Sequence, residues 1–147
     1  MSAYYPPIGF HFKVEFLGIS TEKNDHQFQS VSGLSVDLET EEIAEGGENR
    51  FKHKIPVRTK YANLVLKRGL LLDSGVIKWF KKAIEDFDIK PIDLTVKLLN
   101  EKHEPLLTWS IAHAYPVKWN VGDFNAEENK LVIETMELSY NYFKLIK

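Results

Sequence analysis

The chain has 147 residues, 44% of them hydrophobic and 27% charged, a balance that fits one globular domain, 1–147, with a buried core. Nineteen Lys and Arg against 21 Asp and Glu leave a formal charge of -2, so no global field favours nucleic acid or an anionic membrane. The absence of cysteine excludes disulfides, thiolate metal sites and thiol nucleophiles.

Met1 to Phe10 carries neither a basic n-region nor an apolar h-region, so no secretory signal is predicted and assembly in the cytoplasm is expected. No stretch approaches the roughly 20 apolar residues that span a bilayer, so direct membrane insertion is not expected. Phe10, Phe12, Val14 and Phe16 alternate with His11, Lys13 and Glu15, which predicts a strand buried on one face. A polar loop follows from Gly18 to Gln27. Leu34, Val36 and Leu38 predict a second half-buried strand, and Phe51, His53 and Ile55 a third that Pro56 ends. Leu64 to Leu66 reads as a short strand closed by Lys67, Arg68 and Gly69, a small basic knuckle too short to argue for nucleic acid.

One helix interrupts the alternation. Asp73 or Ser74 caps it, and Val76, Phe80, Ala83, Ile84 and Phe87 form its apolar stripe against a solvated face of Lys78, Lys81, Lys82 and Glu85. Ile89, Lys90 and Pro91 stop it. Leu94, Val96 and Leu98 then pair, across the turn from Asn100 to Pro105, with Leu107, Trp109 and Ile111 in a hairpin. Val117, Trp119 and Val121 make a further strand. The last strand, Leu131 to Tyr142, begins apolar on both faces and must be covered on both. The pattern predicts a mainly β protein, a β-barrel or sandwich of about seven or eight strands with one amphipathic α-helix.

Thr40 to Arg50 joins two strands and is too long for a tight hairpin. Glu41, Glu42, Glu45 and Glu48 make it acidic, Gly46 and Gly47 loosen it, and Asn49 ends it before a basic strip of Arg50, Lys52, Lys54, Arg58 and Lys60. These charges either neutralise one another within the subunit or set register between copies.

Chemistry has little to work with. The five histidines lack metal-ligand spacing, and His103-Glu104-Pro105 lacks the second histidine of a zinc-protease helix. Ser32-Gly33 and Ser74-Gly75 have no nucleophile-elbow context, and Gly46-Gly47 is not a phosphate loop. Glu134 interrupts the apolar face of the last strand, where it is a perturbed acid or, more in keeping with such positions, the partner of a Lys or Arg within the chain or across an interface. Trp79, Trp109 and Trp119 with the other aromatics make core or subunit contacts, or line a ligand-binding barrel.

The order of Phe28-Gln-Ser-Val-Ser-Gly-Leu34, the Glu/Gly loop, Tyr61-Ala-Asn-Leu-Val-Leu-Lys-Arg-Gly69, the helix, Pro116-Val-Lys-Trp119, Phe124-Asn-Ala126 and Val132-Ile-Glu-Thr-Met-Glu-Leu138 resembles the inner tail-tube family of contractile phage tails and phage-like contractile injection systems. The resemblance spans nearly the whole chain. It implies an Hcp-like tail-tube fold, similar to the type VI secretion tube protein, with no enzymatic activity and no cofactor. It implies a homo-hexamer whose rings stack inside a contractile sheath on baseplate and spike proteins, with a lumen that could hold cargo. By position, Glu41 to Lys54 matches the family's extended loop, which reaches a neighbouring subunit and the adjacent ring. Phe124, Asn125 and Glu134 complete the candidate interface. Gly46 to Phe51 and Trp119 to Ala126 look at least as close to the tube-initiator paralogue that forms the first rings on the baseplate. A monomeric β-barrel binding a small apolar ligand is the alternative of another class.

Overall fold

The computed structural model describes residues 11–19, 21, 23–43, 53–71, 74–122 and 132–146. They form strands β1 (His11–Phe16), β2 (Gln27–Phe28), β3 (Ser30–Ser32), β4 (Val36–Ile43), β5 (His53–Tyr61), β6 (Leu64–Gly69), β7 (Ile92–Leu99), β8 (Pro105–Val121), β9 (Ile133–Ser139) and β10 (Tyr142–Leu145), with helix α1 at Gly75–Glu85. The main sheet runs β2-β1-β7-β8-β9-β6-β3, with β10 also on β8, while β4 and β5 form a separate two-stranded sheet. Every pairing is antiparallel.

Strand β8 makes the architecture. Its first half pairs with β7 as far as Ala114, and its second half, from Tyr115, pairs with β9. Ile111 and Ala114 are both completely buried, which strict alternation forbids. His113 between them has φ +55°, and the register shifts again between Pro116 and Lys118. These irregularities bend the strand so that one element serves two half-sheets around a common core. The two segments that read as separate strands in the sequence are therefore one. Conversely, the expected last strand is divided: β10 continues along β8 the register of Leu138 and Ser139 of β9, but the strand breaks at Tyr140 and Asn141.

The ends of the path are bridged by consecutive residues. β2 lies on β1, β3 lies on β6, and between them the Gln29 N–H donates to Lys67 O at 2.9 Å. The sheet thus wraps the core without becoming a closed barrel. Inside lie Val14, Leu64, Leu66, Val96, Met136 and Leu138, among others. Phe16, Phe28, Trp79 and Phe80 form a chain of tilted and edge-to-face rings with centroids 5.6–6.2 Å apart, a favourable arrangement for aromatic quadrupoles.

Helix α1 covers this core. Ser74 is the cap: its Oγ accepts from the Ile77 N–H at 3.2 Å. Val76, Trp79, Phe80 and Ala83 face inward, and Trp79 Nε1 donates to Lys90 O at 3.0 Å. Ile84 and Phe87, expected in the stripe, are exposed, Phe87 by 82%. The helix stops earlier than Pro91 requires. Asp86 and Asp88 both donate their N–H to Lys82 O, and Phe87 takes φ +53°, which turns the chain off the helix axis.

The β4–β5 ribbon changes two further expectations. Thr40 to Ile43 continue β4 instead of opening a loop, and Pro56 sits within β5 opposite Thr40. The register slips beside it, between Glu39 and Thr40. A proline is tolerated at a bulge on an edge strand because no ladder N–H is demanded there.

Gly33 holds the turn that returns β3 toward β4. Its φ is +89°, and a Cβ there would lie 1.9 Å from Asn63 O. Gly33→Ala should therefore cost about 3 kcal/mol or more, read as a fall in the denaturant midpoint at unchanged slope. A second test uses Tyr140, whose phenol donates to Gly33 O at 3.3 Å and is pushed up to about 12 by burial and then by Tyr61. Raised above its unfolded value near 10, this group contributes stability that is complete below pH 10 and lost as pH rises through 12. Ultraviolet titration should find one late tyrosine that Tyr140→Phe removes. A titration in which every tyrosine ionises near pH 10 would contradict it.

Candidate subunit interface

The ribbon carries the charged segment that the sequence singles out. Its register places Asp37 opposite Lys60, Glu39 opposite Arg58 and Glu42 opposite Lys54. Acidic β4 is thus matched to basic β5 within one chain. Arg58 Nε donates to Glu39 Oε2, and that bond holds the Glu39 carboxyl below its usual range. Such exposed pairs contribute little to stability, but they settle the local charge.

The ribbon also leaves aliphatic side chains uncovered. Val36, Leu38, Ile43, Ile55 and Val57 are 44–59% exposed. Period-2 alternation combined with the register puts Val36, Leu38 and Tyr61 on one face near the base. Tyr61 packs there on Tyr140 and Phe143, with centroids 5.8 and 5.1 Å away. Past the slipped register, Ile43 and Ile55 lie with Glu41 on the opposite face. The ribbon therefore offers apolar surface on one side at its root and on the other toward its tip.

Two sheet margins are also open among the described residues. β10 pairs only with β8, and the second half of β8 pairs only with β9. Beside that second margin Trp119 is exposed, and with Ile77, Phe80 and Ile84 of α1 it lines a groove of about 360 Å³. Unpaired backbone N–H and C=O along such margins are templates for another strand.

Glu134 is not at a surface. It is completely buried, directly opposite Arg68 in the β6–β9 ladder, and its Oε2 accepts from Arg68 Nε at 3.1 Å. Arg68 is only 2% exposed, which overturns its reading as part of a basic knuckle. Its Nη1 donates to Asp25 O at 3.0 Å and to Asp25 Oδ1 at 3.2 Å, its Nη2 donates to Ser74 Oγ at 2.9 Å, and its guanidinium lies 4.9 Å from the Phe28 ring centroid. Ser74 Oγ donates to Asp25 Oδ1, and the Gly75 N–H donates to Asp25 Oδ2 at 3.0 Å. Glu134 accepts further from the Leu71 N–H at 3.2 Å and from Trp119 Nε1 at 3.0 Å. Pairing within the chain is thus the realised option for Glu134, and it removes this residue from the interface set.

The remaining candidates divide simply. Glu41, Glu42, Lys54 and Arg58 are exposed on the ribbon. Glu45, Gly46, Gly47, Glu48, Asn49, Arg50, Lys52, Phe124 and Asn125 lie outside the described residues. Asp25 and Arg68 escaped the sequence reading, although a signal existed for one of them. Leu64, Leu66 and Arg68 share the buried parity of β6, as Glu134, Met136 and Leu138 share that of β9.

Arg68→Met would leave two buried carboxylates without their cation, and should cost about 3–5 kcal/mol. A drop in Tm on the order of 10 °C is the expected readout; a melt within 2 °C of wild type would remove the cluster from this role.

The sequence model for the T4-like virus tail tube protein gp19 matches residues 8–144. A chain of the six-fold symmetrised baseplate of the anti-feeding prophage superposes with a TM-score of 0.80 at 31% identity, covering 99% of this chain and 97% of that one. A chain of the extended sheath–tube complex of the extracellular contractile injection system PVC gives 0.75 at 24%, covering 97% and 92%. Hcp1 from Flavobacterium johnsoniae gives 0.58 at 17%, covering 92% and 94%, a likeness of fold. No curated protein matches the chain significantly. An antiparallel sheet bent around one helix, with open margins and a projecting ribbon, matched from residue 8 to residue 144, places this chain in the T4-like tail tube protein family, as a tail-tube-like structural protein of contractile injection systems.

Proposed function

We propose that the chain is a single tail-tube domain, residues 1–147, and that six copies close into a ring and rings stack into the inner tube of a contractile particle. The carrying observation is the exposed apolar ribbon together with the two sheet margins that are unpaired among the described residues. A two-stranded ribbon is marginal by itself in water, and so much apolar surface is stabilised once a neighbour covers it. Copies related by rotation bring the margin of one subunit to the margin of the next, a head-to-tail contact that closes when the rotation divides a full turn. The ribbon then reaches over the adjoining copy and toward the next ring, its two apolar patches meeting different neighbours.

In this role the subunit performs no chemistry and needs no cofactor. Its partners are other copies of itself, the surrounding contractile sheath, the baseplate and spike proteins at one end, and any cargo in the lumen. Neither nucleic-acid specificity nor membrane insertion is part of it. Assembly takes place in the cytoplasm, from which the finished particle is released or to whose membrane it is anchored. The edge-to-face packing of Phe16, Phe28, Trp79 and Phe80 on one another favours this reading over a ligand-lined barrel, because those rings fill the core.

A second reading places the subunit in the first ring on the baseplate. It is favoured by the 31% identity to a chain of the anti-feeding prophage baseplate, against 24% to the PVC sheath–tube chain. Gold labelling of the subunit within intact particles separates the two: label along the shaft supports the trunk, and label at one end supports the base.

Negative-stain images of the purified protein, alone and with isolated baseplates, should contain six-fold hollow rings. Leu38→Asp combined with Ile55→Asp should abolish them while changing monomer stability by no more than about 0.5 kcal/mol per site, since both side chains are exposed. Rings formed as readily by this variant would take the ribbon out of the interface, and a monomer under every condition would defeat the ring itself.

A further inference from the structure

The sequence places His11 and His103 92 residues apart, yet the fold brings their rings together. His11 opens β1, directly opposite Leu99 at the end of β7, and His103 sits in the turn between β7 and β8. Their Nε2 and Nδ1 atoms are 2.9 Å apart and the rings are edge-on, with centroids at 4.8 Å.

The turn is built to hold His103 there. Asn100 Oδ1 accepts from the N–H groups of Lys102 and Glu104, each at 2.9 Å, and Asn100 O accepts from the His103 N–H at 3.0 Å. His103 itself takes φ +64°, a conformation that costs a non-glycine residue energy and is retained where the surroundings enforce it. By contrast, His26 lines the same cavity but is already engaged, to Val14 O at 3.1 Å and Thr21 Oγ1 at 3.3 Å.

The geometry points to a two-histidine binding site for a divalent transition-metal ion, formed by His11 Nε2 and His103 Nδ1. Metal–imidazole bonds of about 2.0–2.1 Å meeting at a right to tetrahedral angle separate the two nitrogens by roughly 2.9–3.4 Å, which includes the observed spacing. Each ring turns by roughly 35–45° to bring both lone pairs from one another toward a common point. Proton accounting is simple. The imidazole that donates the present hydrogen bond moves its proton to its other ring nitrogen, so both facing nitrogens present lone pairs to the ion.

The cavity beside the pair has a volume of about 330 Å³, and its other lining includes Gln27, Lys13 and Lys97. Both lysines lean on Glu15, at 3.5 and 3.1 Å. No group of three or more His, Cys, Asp or Glu that could hold a metal occurs among the described residues, so water completes the coordination. Two imidazoles beside two ammonium groups disfavour hard oxygen-seeking cations and select Cu²⁺, Ni²⁺ or Zn²⁺. Bound there, the ion ties the start of β1 to the β7–β8 turn.

The test is calorimetric titration of the full, untagged chain with Ni²⁺ in a non-coordinating buffer. One ion per chain is expected, with no heat from Mg²⁺. His103→Asn keeps a residue at ease with positive φ and removes the imidazole; it should bind at least about ten-fold more weakly, as should His11→Gln. His113→Asn, an equivalent change at an exposed histidine also at positive φ, should bind like wild type. At a hundred-fold excess over Kd, Ni²⁺ should raise the wild-type Tm by roughly 5–10 °C, with a small shift or none in His103→Asn. Absence of binding, or undiminished binding in His103→Asn and His11→Gln, overturns the site.

Discussion

Arg68 is the residue on which the body of this protein depends. Its guanidinium is almost completely withdrawn from water and meets Asp25, Ser74 and Glu134, contributed by the turn before β2, the cap of α1 and the start of β9. A buried ion of this kind is stable only when its whole donor fork is matched, and here the buried side-chain polar atoms of the described residues all find partners. The matching also fixes geometry. The same Asp25 that receives Arg68 receives the first N–H of α1, and the same Glu134 that receives Arg68 receives Trp119 on β8. Helix position, sheet register and the orientation of an outward aromatic are therefore set by one charge constellation.

This rigidity has a counterpart in what stays open. The sheet wraps its core by bending β8 at His113 and Pro116, and the bend leaves the second half of that strand with one neighbour among the described residues. The ribbon balances its own charge strand against strand and exposes its aliphatic residues. Surfaces of this sort suit repeated association of like copies. In the proposed ring, register is carried by backbone pairing at the margins, and the free energy comes from apolar cover over the ribbon. In the proposed tube, internal stiffness and outward adhesiveness have to reside in different parts of the chain, and the buried cluster and the ribbon are such parts.

The ribbon and the buried cluster also explain which parts of the sequence could be read. Alternation of period two located β1, β6, β7 and the first half of β8, because those strands bury one face against an apolar core and the pattern is the physical cause of the burial; the second half of β8 has the same pattern, yet Val117 and Trp119 are exposed. It misread β4, whose Val36 and Leu38 have the same pattern but no core beneath them within the subunit. In the sequence Pro56 reads as a terminator because a proline lacks the ladder N–H, yet on an edge strand beside a register slip that N–H is not required. Phe87 sat at helical spacing from Phe80 and still left the core, since the helix had ended two residues earlier in a left-handed turn.

By itself the sequence determined the class of the protein: a β-rich chain with one amphipathic helix, no catalytic constellation, and an ordered set of motifs that resembles the tail-tube family. These features are local or nearly so, written in spacing, capping and composition. Only the tertiary structure decided that Glu134 pairs inward with Arg68, that the β4 and β5 charges are matched within one ribbon, and that His11 meets His103. Each of these contacts joins residues many positions apart, and their meeting depends on strand register, which no local pattern encodes.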